Sequence, residues 1–568
     1  MYKGKQLEFL KESNYILSGE TVEDRINSII SVVKRYEKDY SEGLADRVRD
    51  LIEKKVLVLS TPQLSNLGRE SNGNTTPLPC SCNIVSVKNS IEGISYSYGE
   101  TAMLSKLGAG VGLNYDQVYD GGTRLSEGFE SNQKLDWIED AVGIAQKVSQ
   151  QATRQGYAVP FLDIESKEID DLLDRISRNN PNKNDPLVDN NVGINIGDSF
   201  IEKLNKGDRE ARKRIIKVLQ IRRQTGKAYI VFTGNTNINK SKVYESQGAN
   251  PSLLNICVEA TTPHYDDKTF SCILSSLNLN KWDWIKENPQ AIKDAYMFLD
   301  INVSEYIRLT EGVPFLEKAR RSAIEKRDIG LSVLGFHDYI QSKGCAFGDV
   351  QSRILNKSIF STIRKYVDEM NESLANKLGA CPMAEEVGLN MRNVSQMMVA
   401  PHKSTAFISG EESTNPNGLS GGINPLMSNL FVQDLKGIVT TNKNLRLESL
   451  LKERGKNTPE VWKSISDNRG SVQHLDFLSR EEKDVFKTFS EISPKDIIDL
   501  ASDRQKYIDM SQSLNLINRP NYKTQDIYDI HMYAHEKGIK SLYYFYPQAH
   551  AVREVDGDNW DDCISCQD

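Results

Sequence analysis

Residues 56–59 and 83–87 have the sequences Val56-Leu57-Val58-Leu59 and Asn83-Ile84-Val85-Ser86-Val87, and these two stretches indicate the fold. Both are short and rich in aliphatic and β-branched residues, which is typical of buried strands, and the polar segment 65–76 lies between them. Helical patterns alternate with such strands. Residues 21–33 begin with a Thr-x-x-Asp cap and repeat apolar residues at helical spacing, and a second helix is expected over 45–55. This alternation predicts an α/β fold with a mainly parallel sheet.

Length and composition limit the class of protein. The chain has 568 residues, more than the ~250 to 300 at which one core usually stops growing, so we expect several domains or one large α/β barrel. A formal charge of −7 and a pI near 5.7 argue against coating of nucleic acid, which needs a concentrated basic surface. No apolar run approaches the ~20 residues that cross a bilayer, and residues 1–16 lack the apolar core of a secretory signal. We predict a cytoplasmic protein that binds neither nucleic acid nor membrane.

One large domain with distinct ends is the predicted organisation. Three stretches predict loops or a mobile end because they are polar or rich in Asn, Gly and Ser: 177–191, 410–424 and 549–568. Residues 442–513 are mostly charged and helical in pattern, with candidate core contacts at Trp462, Val472, Leu475, Phe477 and Phe486. We divide the chain into a helical N-terminal portion, 1–58, a main domain, 59–548, and a flexible tail, 549–568.

The first candidate for chemistry is Asn255-Ile256-Cys257-Val258-Glu259. In an extended loop, alternation would point Asn255, Cys257 and Glu259 the same way. A thiol between an amide and a carboxylate is able to act as a nucleophile, a redox centre or a hydrogen-atom carrier. The alternative is a buried cysteine beside a surface glutamate, since free cysteine often serves as a small hydrophobic residue.

Other cysteines strengthen the redox interpretation. Eight cysteines in 568 residues are too scattered for a secreted disulfide scaffold, so a reducing compartment would keep them as thiols. Cys82 and Cys272 lie at the edges of strand-like runs, where barrel active sites are built. Cys563 and Cys566 form a CxxC in the polar tail. Zinc is the alternative for this motif, but His550 is the only histidine nearby, and an exposed dithiol on a flexible arm suits disulfide exchange.

From Leu59 to its end, the chain resembles the α subunit of aerobic ribonucleotide reductases, which make deoxyribonucleotides for DNA replication. Five motifs carry the resemblance and stand in the family's order: Ser81-Cys82, the glycine-rich segment Leu107-Gly108-Ala109-Gly110-Val111-Gly112-Leu113-Asn114, Asn-x-Cys-x-Glu at 255–259 with Cys272, Ser541-Leu542-Tyr543-Tyr544, and Cys563-x-x-Cys566. The resemblance implies a ten-stranded α/β barrel over 59–548, with Cys257 on a loop inside it and a redox tail at 549–568. It further implies a class I ribonucleoside-diphosphate reductase, an oxidoreductase that acts on CH or CH2 groups with a disulfide as acceptor.

The resemblance also implies roles for individual residues. Cys257 would form the thiyl radical that abstracts the ribose 3′-hydrogen, Glu259 would be the base, and Asn255 would hydrogen-bond the ribose. Cys82 would protonate the leaving 2′-hydroxyl, and with Cys272 it would supply two electrons by closing a disulfide. The tail pair Cys563 and Cys566 would reopen that disulfide and pass the oxidation to a thioredoxin-like or glutaredoxin-like partner.

Tyr543 and Tyr544 resemble the pair that relays an electron and a proton between Cys257 and a radical-generating small (β) subunit. The small subunit, metal-containing or metal-free, would supply the radical, and this chain would bind no cofactor directly. The alternative for adjacent tyrosines is simple packing on a strand, where aromatic residues are common.

Residues 400–406 are similar to the family's phosphate loop. The expected substrate contacts are Thr61, Ser81, Pro401, His402, Lys403, Ser404 and Thr405. Backbone N–H groups and hydroxyls at a helix start are able to hold phosphate without a net basic surface. His402 and Lys403 depart from the better-known Pro-Ser-Glu-Thr version of the loop, and the alternative is an ordinary Ser/Thr helix cap.

An allosteric site is implied near the glycine-rich segment. It resembles the specificity site where a deoxynucleoside triphosphate or ATP binds at a homodimer interface, and its residues are Asn89, Ser90, Ile91, Tyr119 and Arg124, with the loop 177–191. Asn89 stands where many relatives carry Asp. Only about 80 residues precede Cys82, too few for the helical lead-in plus a ~100-residue nucleotide-binding cone, so we expect a form without that cone.

Two other functions stay open. An adenosylcobalamin-dependent class II enzyme would use the same barrel, and a catalytically silent nucleotide-binding or redox scaffold would keep the fold alone. Tyr543 and Tyr544 favour class I over class II, and the intact cysteines and Glu259 argue against a silent scaffold. A glycyl-radical class III enzyme is disfavoured because no Arg-x-x-Gly-Tyr element stands near the C-terminus.

Overall fold

The computed structural model describes residues 2–69, 77–125, 128–148, 156–188, 190–410, 422–435 and 437–547. Several predicted features lie outside these residues: the tail 549–568 with Cys563 and Cys566, most of the loop 410–424, and part of the segment 65–76. Residue 189 of the loop 177–191 lies outside them as well. Within the described ranges, no helix combines the length and the apolar character needed to cross a bilayer.

Three helices come first and lead into the first strand. The predicted cap at Thr21 is confirmed, since Thr21 Oγ1 accepts from the Asp24 N–H at 3.1 Å and Asp24 accepts from the Thr21 N–H at 3.0 Å. Their apolar faces belong to the same hydrophobic core as the helices around the sheets. The elements are α1 Gly4–Glu12, α2 Val22–Tyr40, α3 Leu44–Glu53, β1 Leu57–Leu59 and α4 Thr61–Asn66.

Five parallel strands follow, joined by helices, and form the centre of a seven-stranded sheet. The strands are almost entirely buried, as expected for parallel strands covered on both faces. They are β2 Cys82–Ser86, β3 Gly110–Asn114, β4 Ala158–Asp163, β5 Gly193–Ile196 and β6 Tyr229–Phe232, with helices α5 Ile91–Lys106, α6 Lys134–Lys147, α7 Ile169–Arg175, α8 Asp198–Asn205 and α9 Arg209–Thr225.

The middle of the chain carries a short hairpin and a second sheet. Strands β7 and β8 pair antiparallel and form the base of the loop 255–260, whereas β10 pairs in parallel with β11. The elements are α10 Lys242–Ser246, β7 Leu253–Leu254, β8 Thr261–Thr262, β9 Phe270–Ser271, β10 Leu274–Asn278, α11 Trp282–Glu287, α12 Gln290–Leu309, α13 Glu317–Lys326, β11 Gly330–Leu334, α14 Phe336–Ser342, α15 Val350–Leu378, α16 Pro382–Glu386 and α17 Lys403–Ser409.

The last part is mainly helical, as predicted for 442–513. Trp462, Val472, Leu475 and Phe486 are buried in one local cluster, and Phe477 packs against it half-buried. The elements are β12 Leu430–Leu435, β13 Ile438–Lys443, α18 Leu445–Glu453, α19 Pro459–Asp467, α20 Arg480–Val485, α21 Pro494–Gln505, β14 Leu516–Asn518, α22 Thr524–Glu536, β15 Ser541–Leu542 and β16 Phe545–Pro547.

The sheets curl around a common interior. At its two edges the seven-stranded sheet ends in antiparallel pairs, β2 with β9 and β6 with β15. Single parallel bridges, Leu331 with Met397 and Val399 with Gln512, continue from β11 towards the last strands. The predicted α/β class is confirmed. The number of ten strands stays a prediction, because these two links are isolated bridges, and so does the division of the chain at residues 58 and 548.

The predicted glycine-rich segment contains β3, and its glycines make room for the loop 255–260. A Cβ on Gly112 would lie 2.5 Å from the Leu254 carbonyl oxygen and 3.1 Å from the Asn255 Cα. A Cβ on Gly110 would lie 2.2 Å from the Ile256 Cδ1. The loop therefore contacts the bare backbone of β3.

We expect Gly112→Ala to destabilise the protein by about 1 to 3 kcal/mol, because its methyl group meets main-chain atoms that must move. Gly143→Ala is the matched control, since Gly143 lies in α6 and its Cβ would meet nothing within 4 Å. That control should be neutral or stabilising. Urea unfolding of both variants measures the difference, and equal stability of the two would contradict the close-approach argument.

Candidate active site

The loop 255–260 is a turn, so the prediction of an extended loop is wrong. The Val258 N–H donates to the Asn255 carbonyl oxygen at 3.0 Å, and Val258 has a φ of 59°. A left-handed backbone is unusual for a β-branched residue and marks local strain. The side chains of Asn255 and Glu259 nevertheless meet, because the turn brings its two ends together.

The predicted catalytic residues converge. Sγ of Cys82, Sγ of Cys257 and a carboxylate oxygen of Glu259 all lie within 4.8 Å of one another. Asn255 Nδ2 donates to Glu259 Oε1 at 2.9 Å and to Cys82 Sγ at 3.3 Å. All four residues are buried. In the described part of the chain, Cys82, Cys257 and Glu259 are the only group of three or more His, Cys, Asp or Glu side chains close enough to share a metal ion.

Cys82 and Cys272 lie opposite each other where β2 meets the segment after β9. The Cys272 N–H donates to the Cys82 carbonyl oxygen at 2.8 Å. A hydrogen bond with the Cys82 side chain, together with burial, raises the pKa of Cys272 well above its ordinary value. Both cysteines are free thiols. The pair is therefore held side by side in its reduced, protonated form.

Glu259 is neutral for much of the physiological pH range. Burial, and after it the neighbouring Cys82, raises the pKa of Glu259 to about 8, while hydrogen bonds from Asn255 and Ser513 oppose the shift. A carboxyl group with this pKa is able to take up or release a proton near neutral pH, which general acid–base chemistry requires.

Serines 511, 513 and 541 hold the turn in place. Ser513 Oγ donates to the Cys257 carbonyl oxygen at 2.6 Å, and it also lies within hydrogen-bond distance of Glu259 Oε2, at 3.2 Å. Ser541 Oγ donates to the Val258 carbonyl oxygen at 2.8 Å. The Ser511 N–H donates to the Glu259 carbonyl oxygen at 2.8 Å. Sequence reasoning missed Ser513, although the alternation of Ser511 and Ser513 after α21 was a signal of an inward-facing strand.

A row of tyrosines leads away from Cys257. The Tyr543 hydroxyl lies 3.6 Å from Cys257 Sγ, and the Tyr543 and Tyr544 ring centroids are 4.3 Å apart. Tyr546, which is half-buried, stacks on Tyr544 at 5.2 Å. Tyr229 in β6 was not predicted, yet its ring lies 4.7 Å from that of Tyr543 and 5.4 Å from that of Tyr544. The four rings form a continuous aromatic path.

A cavity opens above the thiols. Its volume is about 20 Å³, enough for about one water molecule. Its lining includes Cys82, Cys257, Glu259, Ser60, Thr61, Ser81, Leu274, Ala400, Pro401, His402 and Thr405. Five of the seven predicted substrate contacts therefore line it, and Lys403 and Ser404 do not.

His402 adds no positive charge to this cavity. Burial lowers the pKa of His402 to about 3, so its ring is neutral. Ser276 and Ser332 hydroxyls lie 3.0 Å from its Nε2, and the Thr405 hydroxyl lies 3.0 Å from its Nδ1. The ring is thus fixed by three hydroxyl groups. The backbone of His402 is left-handed, with a φ of 57°, and the residue lies just before the start of α17.

The predicted allosteric residues lie beyond the C-terminal ends of β2 and β3. Asn89 Oδ1 accepts from the Tyr119 N–H at 3.3 Å, which links the two segments. Ser90 caps α5 by accepting from the Gly93 N–H at 3.1 Å. Ile91 and Tyr119 are exposed, and Arg124 forms a bridge with Glu130. The structure brings these residues to one surface, and their role in effector binding stays a prediction.

The fold and the site together define an α/β barrel oxidoreductase that works with buried thiols. A family model described as the ribonucleotide reductase barrel domain matches residues 80–212, 209–387 and 384–545. The chain belongs to the ribonucleotide reductase family, which confirms the resemblance inferred from its motifs.

Individual relatives agree with the family. The ribonucleoside-diphosphate reductase large subunit of Invertebrate iridescent virus 3 is 28% identical, over 93% of this chain and 92% of the relative. The putative large subunit of Frog virus 3 is 26% identical, over 93% of this chain and 94% of the relative. The class Id ribonucleotide reductase α subunit of Actinobacillus ureae has a TM-score of 0.85 and 32% identity, covering 98% of this chain and 99% of that one.

Glu259→Gln should change how stability depends on pH. The raised pKa of Glu259 means that the folded state holds this proton more tightly than the unfolded state, whose ordinary value is 4.5. The stabilisation that protonated Glu259 contributes to the free energy of unfolding is therefore complete below pH 4.5 and is lost as the pH rises through about 8. Glutamine keeps one hydrogen-bonding oxygen and does not titrate.

Urea unfolding between pH 5 and pH 9 measures this effect. The difference in stability between the wild type and Glu259→Gln should shift in favour of the variant as the pH rises. A difference that stays constant across that range would show that the pKa of Glu259 is not raised.

Proposed function

We propose that this chain is the catalytic α subunit of a class I ribonucleotide reductase, and that it reduces ribonucleoside diphosphates to 2′-deoxyribonucleotides. The observation that carries the proposal is the position of Cys257. Its thiol lies 3.6 Å from the phenol of Tyr543 on one side and within 4.8 Å of Cys82 and Glu259 on the other. A radical arriving through Tyr543 would reach the thiol, and the thiol lines the cavity that also holds five of the predicted substrate contacts.

The proposed reaction begins with a hydrogen atom. The Cys257 thiyl takes the hydrogen from C3′ of the ribose, and Glu259 in its ionised form takes the 3′-hydroxyl proton. Cys82 gives a proton to the 2′-hydroxyl, which leaves as water. Cys82 and Cys272 together supply two electrons as their thiols close to a disulfide, and the second thiol proton goes with these electrons to C2′. Glu259 returns its proton to the 3′-oxygen, and Cys257 returns a hydrogen atom to C3′. One ribonucleotide and two thiols thus give one deoxyribonucleotide, one water and one disulfide.

The environment of each group suits its proposed step. Cys272 is held as a thiol by its hydrogen bond with Cys82 and by burial. Asn255 and Ser513 keep Glu259 beside both thiols through bonds of 2.9 and 3.2 Å. Glu259, with a pKa of about 8, is poised to exchange a proton near neutral pH.

Neutral donors would hold the substrate phosphates. Thr61, Ser81, Pro401, His402 and Thr405 line the cavity, and His402 is neutral. Hydroxyl and main-chain N–H groups are able to bind phosphate without fixed cations. Phosphate binding without fixed cations agrees with the formal charge of −7. Lys403 and Ser404, which do not line the cavity, remain proposed contacts that would form on substrate binding.

The partners follow from the large-subunit character of the chain. Relatives over its whole length are named large subunits, so it works with a small subunit. We propose that the small subunit supplies the radical through Tyr544 and Tyr543, and that this chain holds no cofactor of its own. The likeness to a class Id α subunit favours this source over adenosylcobalamin.

The remaining assignments are proposals from the resemblance. A thioredoxin-like or glutaredoxin-like protein would reduce Cys563 and Cys566, which in turn would reduce Cys82 and Cys272. Deoxynucleoside triphosphates or ATP would bind near Asn89 and Tyr119 in a homodimer. The cytoplasm suits this chemistry, because all six cysteines in the described residues are free thiols.

Cys257→Ser tests the radical site. A hydroxyl has a similar volume but is a much poorer hydrogen-atom carrier, so turnover should fall by roughly 10⁴-fold or more while nucleotide affinity changes little. Nucleotide reduction is measured with the small subunit in one arm and with adenosylcobalamin in the other, and equilibrium binding of a ribonucleoside diphosphate is the control. Substantial product from the variant would contradict the assignment.

Tyr544→Phe tests the radical source. Phenylalanine keeps the ring but has no phenolic proton to lose with an electron, so turnover with the small subunit should disappear. Folding should change by no more than a typical hydrogen bond, ~0.5 to 1.5 kcal/mol. If the chain alone reduces nucleotides with adenosylcobalamin, and Tyr544→Phe does so equally well, the class II alternative replaces class I.

A further inference from the structure

Arg222, near the C-terminal end of α9, is a buried cation in an unusual position. Its side chain is fully buried, and within the described residues no carboxylate oxygen lies within 4.0 Å of it. Burial lowers the pKa of Arg222 to about 9, which leaves it charged at neutral pH. Burying a charge without a counter-ion is costly, so the hydrogen bonds that the Arg222 guanidinium makes indicate its role.

Two of those contacts tie separate strands together. Arg222 Nη1 donates to the Ala228 carbonyl oxygen at 2.8 Å and to the Tyr543 carbonyl oxygen at 2.7 Å. Ala228 directly precedes β6 and its Tyr229, and it has a left-handed backbone with a φ of 61°. One amino group thus bridges the strand of Tyr229 and the segment that carries Tyr543.

His531 orients the guanidinium group. His531 Nδ1 lies 2.7 Å from the Ile527 carbonyl oxygen, which only accepts, so the ring proton is on Nδ1. Nε2 is then free to accept from Arg222 Nε at 3.1 Å. Burial and the nearby Arg222 lower the pKa of His531 to about 3, so the ring stays neutral and the bond keeps this direction.

The backbone of the tyrosine pair is held from two sides. Residues 514–516 provide three bonds: Tyr543 N–H to the Leu514 carbonyl at 2.8 Å, Tyr544 N–H to Asn515 Oδ1 at 3.0 Å, and Leu516 N–H to the Tyr544 carbonyl at 3.0 Å. Arg222 provides the fourth, to the Tyr543 carbonyl, from the side of β6. It is the only charged group in this set, and charge-assisted bonds are the stronger kind.

The positive charge also acts on Tyr229, whose ring contacts both tyrosines of the pair. Tyr229 contacts the rings of both Tyr543 and Tyr544, and a negative charge on Tyr229 would stabilise the Arg222 cation. The interaction is mutual, so the Arg222 charge favours a phenol that has lost its proton over a phenol that has lost only an electron.

We infer that Arg222 is a positioning residue for electron transfer through Tyr543 and Tyr544. It fixes the main chain of Tyr543 so that the phenol meets Cys257. Its fixed charge opposes a tyrosine radical cation, so one electron and one proton pass together: from Tyr543 to the Tyr544 radical, and then from the Cys257 thiol to the Tyr543 radical, which leaves Cys257 as the thiyl. Arg222 itself is neither oxidised nor deprotonated. This inference rests on the proposed function, because it presupposes that the tyrosine pair carries the radical.

Turnover with the small subunit tests the positioning role. Arg222→Gln should lower kcat by roughly 10- to 100-fold, as expected for small misplacements of reacting groups, and leave the substrate KM unchanged. Arg222→Lys, which keeps the charge and one donor group, should recover part of that loss.

Arg504→Gln is the matched control. Arg504 is equally buried, its pKa is also lowered to about 9, and its Nε bonds Gln512 Oε1 at 2.6 Å rather than the tyrosine pair. This control should lose a similar amount of thermal stability and keep its turnover. If both glutamine variants lose turnover equally, Arg222 is merely structural and the inference is overturned.

A second measurement needs no small subunit. With 3,5-difluorotyrosine at position 229 of the full chain, fluorine NMR follows the ionisation of the phenol. Its pKa should rise in Arg222→Gln, since a nearby positive charge is lost, and stay unchanged in Arg222→Lys and Arg504→Gln. An unchanged pKa of the phenol at position 229 in Arg222→Gln would overturn the electrostatic role inferred for Arg222.

The proposed function and the role of Arg222 are contradicted by different results. Wild-type kcat in Arg222→Gln, with an inactive Tyr544→Phe, overturns this inference and leaves the proposed function standing. Full activity of Tyr544→Phe with the small subunit removes the tyrosine relay and this inference together.

Discussion

The structure depends on placing a turn of main chain inside the curled sheets, where its polar groups must find partners without water. Val258 N–H bonds Asn255, and the carbonyl groups of Cys257, Val258 and Glu259 accept from Ser513, Ser541 and Ser511. Gly110 and Gly112 of β3 leave space for this turn. Because the serine and glycine contacts come from distant parts of the chain, the position of Cys257 is fixed by the fold as a whole.

Burial sets the protonation states on which the proposed chemistry relies. Away from water the charged form of an acid is disfavoured, which raises the pKa of Glu259, and for Cys272 burial adds to the hydrogen bond with Cys82 that raises its pKa. The same effect lowers the pKa of His402 and keeps its ring neutral. Glu259 and His402, which line the cavity, therefore present neutral hydrogen-bonding groups rather than fixed charges near neutral pH.

The aromatic path joins this interior to the outside of the sheets. Tyr543 contacts Cys257, and Tyr546 at the other end is partly exposed. The rings lie where β6 meets β15 and β16, so their spacing depends on how those strands are held. A buried guanidinium group at this junction combines a mechanical role with an electrostatic one, and neither role would be visible from the tyrosines alone.

The sequence by itself determined the α/β class, the helix cap at Thr21, the mainly helical region 442–513, and the family, because these rest on local periodicity or on motifs in a fixed order. It also identified Asn255, Cys257, Glu259, Cys82 and Cys272 as a set. Only the tertiary structure decided that the loop 255–260 is a turn, that Ser513 bonds Glu259, and that Tyr229 and Arg222 adjoin the tyrosine pair. The physical reason is distance along the chain: Ser513 and Glu259 are 254 residues apart, and Arg222 and Tyr543 are 321 apart. No local pattern encodes such pairs, since their contact depends on how the strands between them close around one interior.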